Sequence, residues 1–327
     1  MTDQSLSATA VAEPGTARTG IVPSSYALGV GAVLLVWIGI GSLQRSGGVW
    51  GGLAEGRAVL LAPAVLSVVV VVVALERRWP AEARKITARG HLQDGGFFLL
   101  HIVAVVPFMT LLSVAFAHLL QAHIPWAAPA WLRASPLWLL AGLTFVLMDA
   151  SNWCAHYADH RFESLWRVHA LHHSQEELSV LTSFRAHPLS HLPGFMLAAI
   201  PPFFLLGSRG APVLISLYVC LGTIPHANLN WSYGVLGRIV VSPAYHRLHH
   251  AVDGVNGRNL GVVLTVWDVL IGRADFPAPG GPVGKTGLRG RPVPVEQSAG
   301  DRWRPELLVH QLAEPFVAHA GSKARSS

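Results

Sequence analysis

The chain has 327 residues, of which 51% are hydrophobic and only 13% are charged, and its mean hydropathy is +0.43. Because an ordinary soluble domain carries roughly 25% charged residues, this composition argues against a soluble protein and favours one embedded in a membrane. The net charge is +6, but the basic residues are spread over loops and the C-terminal tail, without a basic helix or an aromatic stacking motif. We therefore expect no nucleic-acid partner.

The N-terminal part of the chain is dominated by apolar segments long enough to cross a bilayer. Residues 1–25 are rich in Ser, Thr, Ala and Gly, which is typical of a disordered tail rather than of a signal peptide. A helix that spans a bilayer needs roughly 20 apolar residues. Four segments approach or exceed this length, at residues 26–43, 58–75, 97–120 and 136–153. The first three make residues 26–135 a transmembrane region, and the fourth leads into the histidine-rich part of the chain.

The second half of the chain contains two shorter apolar stretches and then a change of composition. Residues 192–207 and 211–224 are joined by a short Ser-Arg-Gly segment, which predicts a hairpin of two helices that crosses the membrane or dips into it. Residues 277–327 are rich in Pro and Gly at their start and form a tail, in which residues 305–316 favour one amphipathic helix. The predicted fold is therefore all-α: a polytopic membrane protein with about four transmembrane helices, a membrane hairpin and a cytoplasmic helical cap.

The Lys and Arg residues predict which side of the membrane each loop faces. The loop at residues 76–96 holds five of them, whereas the loop before the fourth span holds only Arg133. Basic loops remain in the cytoplasm, so both termini and everything after the fourth span are predicted to be cytoplasmic. The abundance of Ala, Val, Gly and Arg favours a bacterial protein, which would place it in the inner membrane.

Histidines are concentrated in the part of the chain that follows the fourth span. Eleven of the 17 histidines fall between residues 156 and 250. His156 and His160 are four residues apart, which places them on one face of a helix. Two triplets with the pattern H-x-x-H-H, ending at His173 and His250, each give one helical face in the same way. Because neutral imidazole is the commonest metal ligand, this set predicts a site with room for two metal ions.

Other interpretations of these histidines fit less well. Isolated histidines are expected to be packed or hydrogen bonded, and these are His101, His118, His123, His310 and His319. A single zinc ion favours four ligands and would leave half of the clustered set unused. A metal transporter would place its ligands at mid-membrane, whereas the clustered motifs lie at or beyond the ends of the spans. A zinc hydrolase would need the motif H-E-x-x-H, which the clusters lack. A membrane protein that binds or transports metal without oxygenase activity remains the alternative function.

The histidine motifs resemble those of a known family. The segment "DASNWCAHYADHRFESLWRVHALHHS" (149–174) closely resembles the first two histidine boxes of the fatty acid hydroxylase/sterol desaturase superfamily. The segment "SPAYHRLHHAVDGVNGRNLGVVLTVWDVLIG" (242–272) resembles the third box, with the Asn-x-Gly-type and Trp-Asp sequel that usually follows it. "SFRAHPLSH" (183–191) and "PHANLNW" (225–231) are similar to the segments between the boxes. The resemblance covers residues 76–276 and makes residues 136–276 the expected catalytic domain.

The resemblance implies an O2-dependent, non-haem di-iron centre held almost entirely by histidines, with zinc as a substitute metal. Matching the boxes position by position gives nine ligands: His156, His160, His169, His172, His173, His226, His246, His249 and His250. Some relatives have a tenth histidine where this chain has Asn230, so water or the Asn230 amide would complete the ligand set. Polar residues near the boxes are candidates to hold the outer ring nitrogens. Asp149 and Asn259 are favoured for this role, and His187 is a candidate donor or tenth ligand.

The reaction implied by the resemblance is the oxidation of an unactivated C–H bond of a lipid, giving an alcohol or an alkene. The candidate substrates are a fatty acyl chain, an alkylglycerol, a sterol-like lipid or a carotenoid, delivered from the bilayer. The chain contains no haem motif, flavin fingerprint or cysteine-rich cluster, so its electrons must come from outside. The expected redox partner is a cytochrome b5-like protein, a ferredoxin or a pterin reductant.

Overall fold

The computed structural model describes residues 58–83, 90–124, 129–252, 257–278, 281, 284–289 and 304–316. Within these residues the secondary structure is helical, and the only β-type pairing consists of two isolated bridges. The α-helices are α1 (Ala58–Arg78), α2 (His91–Leu100), α3 (Val106–His123), α4 (Ala130–Arg133), α5 (Leu137–Arg161), α6 (Glu163–His173), α7 (Pro188–Thr223), α8 (Pro243–His249), α9 (Val266–Leu270) and α10 (Pro305–Ala313). The shorter 3-10 segments are Val180–Phe184, Ile224–His226, Leu236–Arg238 and Glu314–Phe316.

The all-α class is confirmed for the described residues, but the arrangement of four spans is not confirmed. By length and composition, α5 is the one described helix that is long and apolar enough to cross a membrane, and Val213–His226 is a shorter apolar helical stretch. The predicted second span, 58–75, lies within α1, and the predicted third span, 97–120, lies within a helical segment. The predicted first span, 26–43, and the N-terminal tail lie outside the described residues.

Residues 91–123 form one continuous helical segment of mixed character. A π-helical turn, His101–Val105, joins α2 to α3 without a break. Pro107 lies two residues after the end of this turn, and a proline cannot supply the N–H that would continue the α-helical ladder. A π-helical turn is wider than an α-helical one, so the helix can continue past a residue that lacks an N–H donor, as it does at π-bulges in other helices. The predicted third span is therefore a helix with a built-in irregularity beside the site.

Helix α7 folds back on itself. Near its start, a Cβ built on Gly194 would lie 3.1 Å from Asn152 Oδ1 of α5. Near its end, the Tyr218 hydroxyl donates a hydrogen bond of 2.9 Å to Asp149 of the same part of α5. These two positions on α7 would be about 36 Å apart on a straight helix, so α7 must bend between them. This path is the two-armed hairpin predicted from the sequence, although the predicted joint at 208–210 stays helical rather than breaking the helix.

The main hydrophobic core lies between α1, α5 and the two arms of α7. Its buried members include Val65, Val69, Val72, Met148, Ala198, Leu214, Ile215 and Tyr218. A smaller cluster joins Phe97 of α2 to Leu171 of α6, and Leu308 and Leu312 of α10 pack against it. The C-terminal helix that the sequence predicted is thus present, and it lies against the body of the protein.

Candidate metal centre

The first two histidine boxes are brought together by an abrupt turn between α5 and α6. The last two turns of α5 carry His156 and His160. A single extended residue, Phe162, with φ −107° and ψ 125°, then separates α5 from α6. Because the linker is so short, α6 returns at once past the end of α5. Two of its histidines, His169 and His173, therefore face those of the first box.

The remaining ligand candidates come from two short elements later in the chain. The second arm of α7 ends in the 3-10 turn Ile224–His226, which places His226 beside His172. Helix α8 begins at Pro243, and the hydroxyl of Ser242 caps it by accepting a hydrogen bond from the Tyr245 backbone N–H at 3.2 Å. This cap fixes the start of the helix that carries the third box, namely His246, His249 and His250.

The nine predicted ligands fall into two groups. In each group, one ring nitrogen per residue lies within 4.8 Å of those of all the other members. The first group is His156, His160, His169, His173 and His249, and the second is His172, His226, His246 and His250. In the second group the Nε2 atoms follow one another at 3.0 Å (His172 to His226), 2.9 Å (His226 to His246) and 3.2 Å (His246 to His250). The structure thus divides the set into two groups, each of which could hold one metal ion.

These distances and the state of the ring nitrogens fit metal ligation. Two imidazole nitrogens that bind one metal at 2.0–2.1 Å lie about 3.0–3.4 Å apart in common geometries. In the first group, the Nε2 atoms of His156 and His249 are buried and receive no hydrogen bond. Both rings use Nδ1 for a backbone carbonyl, so Nε2 carries an inward-facing lone pair. A buried lone pair without a donor is costly, and a cation would satisfy it.

Backbone carbonyls hold several of the rings from outside. Nδ1–H of His156 donates to the Leu260 carbonyl at 2.8 Å, and that of His249 donates to the Arg258 carbonyl at 2.9 Å. His172 Nδ1 lies 3.3 Å from the carbonyl oxygen of Arg185. Such contacts set the tautomer of a ligating histidine and the orientation of its ring.

Asn259, a predicted site residue, lies between the two carbonyls that hold His156 and His249. Its φ is +55°, in the left-handed region that few non-glycine residues adopt. Its side-chain NH2 donates to the carbonyls of Tyr245 and Asp275, and its Oδ1 accepts from the Asp275 N–H at 2.6 Å. The side chain makes no contact with a ring itself. It fixes the turn that directs the neighbouring carbonyls at two of the histidines.

Asp149, the second predicted residue, is fully buried and accepts four hydrogen bonds. The donors are the Tyr218 hydroxyl, the backbone N–H groups of Val263 and Leu264, and the Trp267 indole, at 2.8–3.1 Å. Asp149 therefore ties α5 to α7 and to the segment that follows the third box. Like Asn259, it supports the elements that carry the histidines and touches none of the clustered rings.

The structure gives the other two candidates hydrogen-bond partners outside the clustered histidines. His187 is the N-cap of α7, where its Nδ1 accepts a hydrogen bond from the Leu189 N–H at 3.1 Å and its Nε2 lies 3.1 Å from the Leu312 carbonyl of α10. His187 belongs to neither histidine group. The Asn230 amide donates to the Gly281 carbonyl at 3.3 Å.

Burial holds the clustered histidines in the neutral form that ligates metals. It lowers the pKa of His172 to about 3, assisted by charge on His156 and Arg185 and opposed by the contact with the Arg185 carbonyl. Burial, reinforced by neighbouring imidazoles, also lowers the pKa of His169, His173, His246, His249 and His250 well below 6.5. Metal binding at neutral pH would therefore displace few protons from these rings.

A cavity of about 240 Å³ reaches the histidines. Its walls include apolar side chains of α5, α7, the π-helical turn and the 3-10 segment Val180–Phe184, among them Val105, Met148, Phe184, Ala198 and Ile215. His101, His156, His169, His172, His226 and His246 also line it. An apolar cavity that ends at a set of metal ligands is suited to an unfunctionalised carbon chain.

Three acidic residues near the site were not predicted as functional. Asp159 Oδ2 lies 3.5 Å from His169 Nδ1. Asp268, which is fully buried, accepts from the Trp153 indole, the Tyr245 hydroxyl and the Gly261 N–H. Asp94 of α2 pairs with Arg185 at 2.9 Å, and both side chains are fully buried. The Trp-Asp sequence at 267–268 could have indicated Asp268, but no local pattern indicates Asp94.

The comparisons with known proteins agree with this geometry. The family model described as fatty acid hydroxylase matches residues 141–273, which include all nine clustered histidines. The ornithine lipid hydroxylase OlsE of Rhizobium tropici is 31% identical over 169 residues, which are 50% of this chain and 50% of that protein. An alkylglycerol monooxygenase of Caenorhabditis elegans is 26% identical over 151 residues, 45% of this chain and 28% of that protein. The fatty acid hydroxylase vlmA of Lecanicillium sp is 27% identical over 157 residues, 41% of this chain and 42% of that protein.

The similarity is partial in every case. The aligned part of the chain spans about half of the length of the Rhizobium protein and less of the other two. No solved structure matches the chain.

Proposed function

We propose that the chain is a membrane oxygenase that hydroxylates or desaturates an unactivated C–H bond of a lipid, because the fatty acid hydroxylase family model matches residues 141–273 and the known proteins similar to part of the chain include a lipid hydroxylase. The observation that carries this proposal is the convergence of nine buried or half-buried histidines, in groups of five and four, beside an apolar cavity that five of them line. A protein that only stored or transported metal would have no use for an apolar cavity at its ligands.

Two iron ions are the proposed cofactors, one for each histidine group, with zinc as a substitute in overproduced protein. When bound, the iron supplies the redox chemistry that uses O2 and electrons from an external donor to oxidise carbon. Histidine ligation is consistent with iron, although it does not distinguish iron from zinc. The candidate donors are a cytochrome b5-like protein, a ferredoxin or a pterin reductant.

The contributions of the chain itself follow from the site. The apolar side chains of α5 and α7 bind the carbon chain and exclude water from the reacting carbon. Asn259 and the carbonyls of Arg258 and Leu260 hold His156 and His249 in fixed orientations. Asp149 holds α5, α7 and the segment after α8 in fixed positions relative to one another.

The relatives suggest the substrate class. One is named an ornithine lipid hydroxylase and another an alkylglycerol monooxygenase, and both names describe lipids. We propose a lipid with an unbranched acyl or alkyl chain in preference to a sterol-like lipid or a carotenoid, because α5 and the two arms of α7 approach closely around the cavity. Gly194, which lines the cavity, is one point of this close approach.

The proposed setting is a bacterial inner membrane, with about four spans and with the active site and both termini in the cytoplasm. Residues 136–276 form the catalytic domain in this proposal, between the spans of residues 26–135 and the tail of residues 277–327. The apolar character of α5 and the attachment of two histidines to its last turns support this arrangement.

One experiment tests the enzyme against its alternative. Detergent-purified protein is analysed for metal content, and O2 uptake and lipid products are then measured with a reducing system and bacterial lipids. We expect two metals per chain and uptake that produces a hydroxylated or unsaturated lipid. Two metals without uptake under any reducing system would favour the metal-binding alternative. One tightly bound metal or none would contradict the dinuclear site.

A further inference from the structure

Two segments outside the predicted spans expose large aliphatic side chains to the surroundings. One segment is residues 235–239 and the other is residues 266–271. The exposed fractions are 84% for Val235, 66% for Leu236, 58% for Ile239, 38% for Val266, 49% for Val269, 71% for Leu270 and 45% for Ile271. Scattered exposed apolar residues are ordinary, but seven in two short segments are not.

The two segments form one surface, which we name the aliphatic face. An isolated bridge pairs Val240 with Leu264, next to both segments. Thr265 reinforces the pairing, because its N–H donates to the Ile239 carbonyl at 3.0 Å and its hydroxyl donates to the Arg238 carbonyl at 2.7 Å. The exposed side chains of one segment are therefore held beside those of the other.

The aliphatic face lies against α5, near the end that carries the histidines. The Trp267 indole donates to Asp149 at 2.8 Å, and the Trp153 indole donates to Asp268 at 3.0 Å. These anchor positions on α5 precede its last residue, Arg161, by eight to twelve residues, or about 12–18 Å along the helix axis. Half of the hydrocarbon core of a bilayer is about 15 Å thick. If α5 crosses the bilayer, the face lies at the depth of one leaflet.

We propose that the aliphatic face is immersed in the leaflet on the histidine side of the membrane, so that the domain contacts lipid beyond its transmembrane helices. The occupant of the surface is the bilayer. Helix α5, to which the face is anchored, also exposes apolar side chains, among them Leu143, Val146 and Leu147. It consists of Val, Leu and Ile, whereas the cores of protein interfaces are enriched in aromatic residues, Met and Arg.

A cation next to the face suits a lipid headgroup. Arg238 is exposed and is adjacent to Ile239, and its guanidinium lies 4.9 Å from the ring centre of Phe276. A cation held at the margin of an apolar surface is suited to lipid phosphates, especially those of anionic lipids. The inference depends on the proposed crossing of the membrane by α5 and not on the oxygenase activity.

The test uses single cysteines in the full-length protein. Cys154→Ser and Cys220→Ala remove the two native thiols, and Leu236→Cys or Leu270→Cys is then labelled with an environment-sensitive fluorophore. The labelled protein is placed in nanodiscs of phosphatidylcholine and phosphatidylglycerol. Leu143→Cys is the control for α5 in lipid, and Lys285→Cys, at an exposed polar position, is the control for water. Only variants with the elution profile and metal content of the parent protein are compared.

We expect lipids with a spin label on the acyl chain to quench most of the fluorescence at positions 236, 270 and 143, and iodide to quench it only at position 285. Iodide quenching at 236 and 270, with lipid quenching kept at 143, would overturn the inference and leave the proposed membrane span intact. Protection of 236 and 270 from both quenchers would overturn it as well, because it would mean that protein covers the face. Loss of lipid quenching at 143 too would show that α5 does not cross the bilayer, and the inference would fail with it.

Discussion

Asn259 influences the metal centre through the backbone on either side of it. Its left-handed conformation directs the carbonyls of Arg258 and Leu260 towards His249 and His156, and its amide fixes that turn. Replacing Asn259 with Ala removes the amide and disfavours the positive φ. We expect metal affinity to fall by roughly 10–100-fold, which is the usual cost of losing support behind a ligand. The measurement is metal retention during dialysis against a chelator of graded concentration.

Asn259→Gly separates the two contributions of this residue. Glycine adopts the positive φ without strain but makes no side-chain hydrogen bonds. Its metal affinity should lie between those of the parent protein and the Ala variant. Equal metal affinities for the parent protein and both variants would contradict the role of Asn259 in positioning His156 and His249.

The clustered histidines should differ sharply from the isolated ones. His172→Ala removes a buried ring from the second group, so we expect loss of one metal and of nearly all turnover. His310→Ala and His118→Ala alter exposed side chains and should leave both properties close to those of the parent protein. Metal content and product formation are compared per amount of folded protein. Normal turnover of His172→Ala, or its loss in His310→Ala, would mean that the site lies elsewhere.

At the scale of single residues, the sequence predicted the histidines and missed part of their support. Ligands on one helix face repeat every three or four residues, so spacing placed His169, His172 and His173 together, but it did not predict that His172 joins a different group from the other two. The pair of Asp94 and Arg185 joins residues 91 positions apart and follows no local pattern. His187 has the residue type of a ligand, yet its position at the N-terminus of α7 gives it a capping contact instead.

The buried pair of Asp94 and Arg185 links α2 to the segment that holds His172. Arg185 also donates to Ser174, while its backbone carbonyl lies next to His172. Asp94→Asn would leave a buried guanidinium without a counter-charge, so we expect the free energy of unfolding to fall by about 3–5 kcal/mol. Denaturant unfolding of the detergent-solubilised protein measures this change. Glu306→Gln makes the same change of charge at an exposed site and should shift stability by no more than about 0.5 kcal/mol.

It was easier to predict from the sequence that the apolar segments are helical than to predict the course that each helix takes through the molecule. The long apolar stretches in the sequence predicted α5 and the two arms of α7. A helix that is apolar on every side is buried whichever elements pack against it, so its prediction needs no knowledge of those elements. The continuous helix through residues 208–210 depends on packing of the two arms against α5, which no local residue specifies. The π-helical turn at His101–Val105 was not predicted either, although Pro107 marks a nearby irregularity.

For the whole molecule, the buried neutral histidines predict how the metal-free protein responds to acid. The pKa of His172 is about 3 in the folded protein and near 6.5 when the ring is exposed. At pH values between these two pKa values, the unfolded chain binds more protons than the folded protein. The free energy of unfolding therefore decreases as the pH falls through this window. We expect the thermal midpoint of chelator-stripped protein to drop markedly between about pH 7 and pH 5. An unchanged midpoint would contradict the burial of neutral rings.

The orientation of the chain in the membrane follows from charge, tryptophan placement and the length of α5 together. Helix α5 has 25 residues and is therefore about 37 Å long, enough to cross a hydrocarbon core of about 30 Å. Its first turn exposes Trp138 by 74%, and Trp131 just before it is exposed by 71%, as expected for side chains at a membrane interface. The histidines lie at the opposite end, and the loop rich in Lys and Arg at residues 76–96 predicts, with the proposed four spans, that this end is cytoplasmic.

A phosphatase reporter, which is active only outside the cytoplasm, tests this orientation. Inserted in the loop at residues 121–135, beside Trp131, it should be active, and fused after residue 327 it should be silent. A reporter fused within residues 76–96 is the matched cytoplasmic control and should also be silent. Activity after residue 327 would place the histidine centre on the outer face, away from cytoplasmic electron donors, and the proposed supply of electrons would then be wrong.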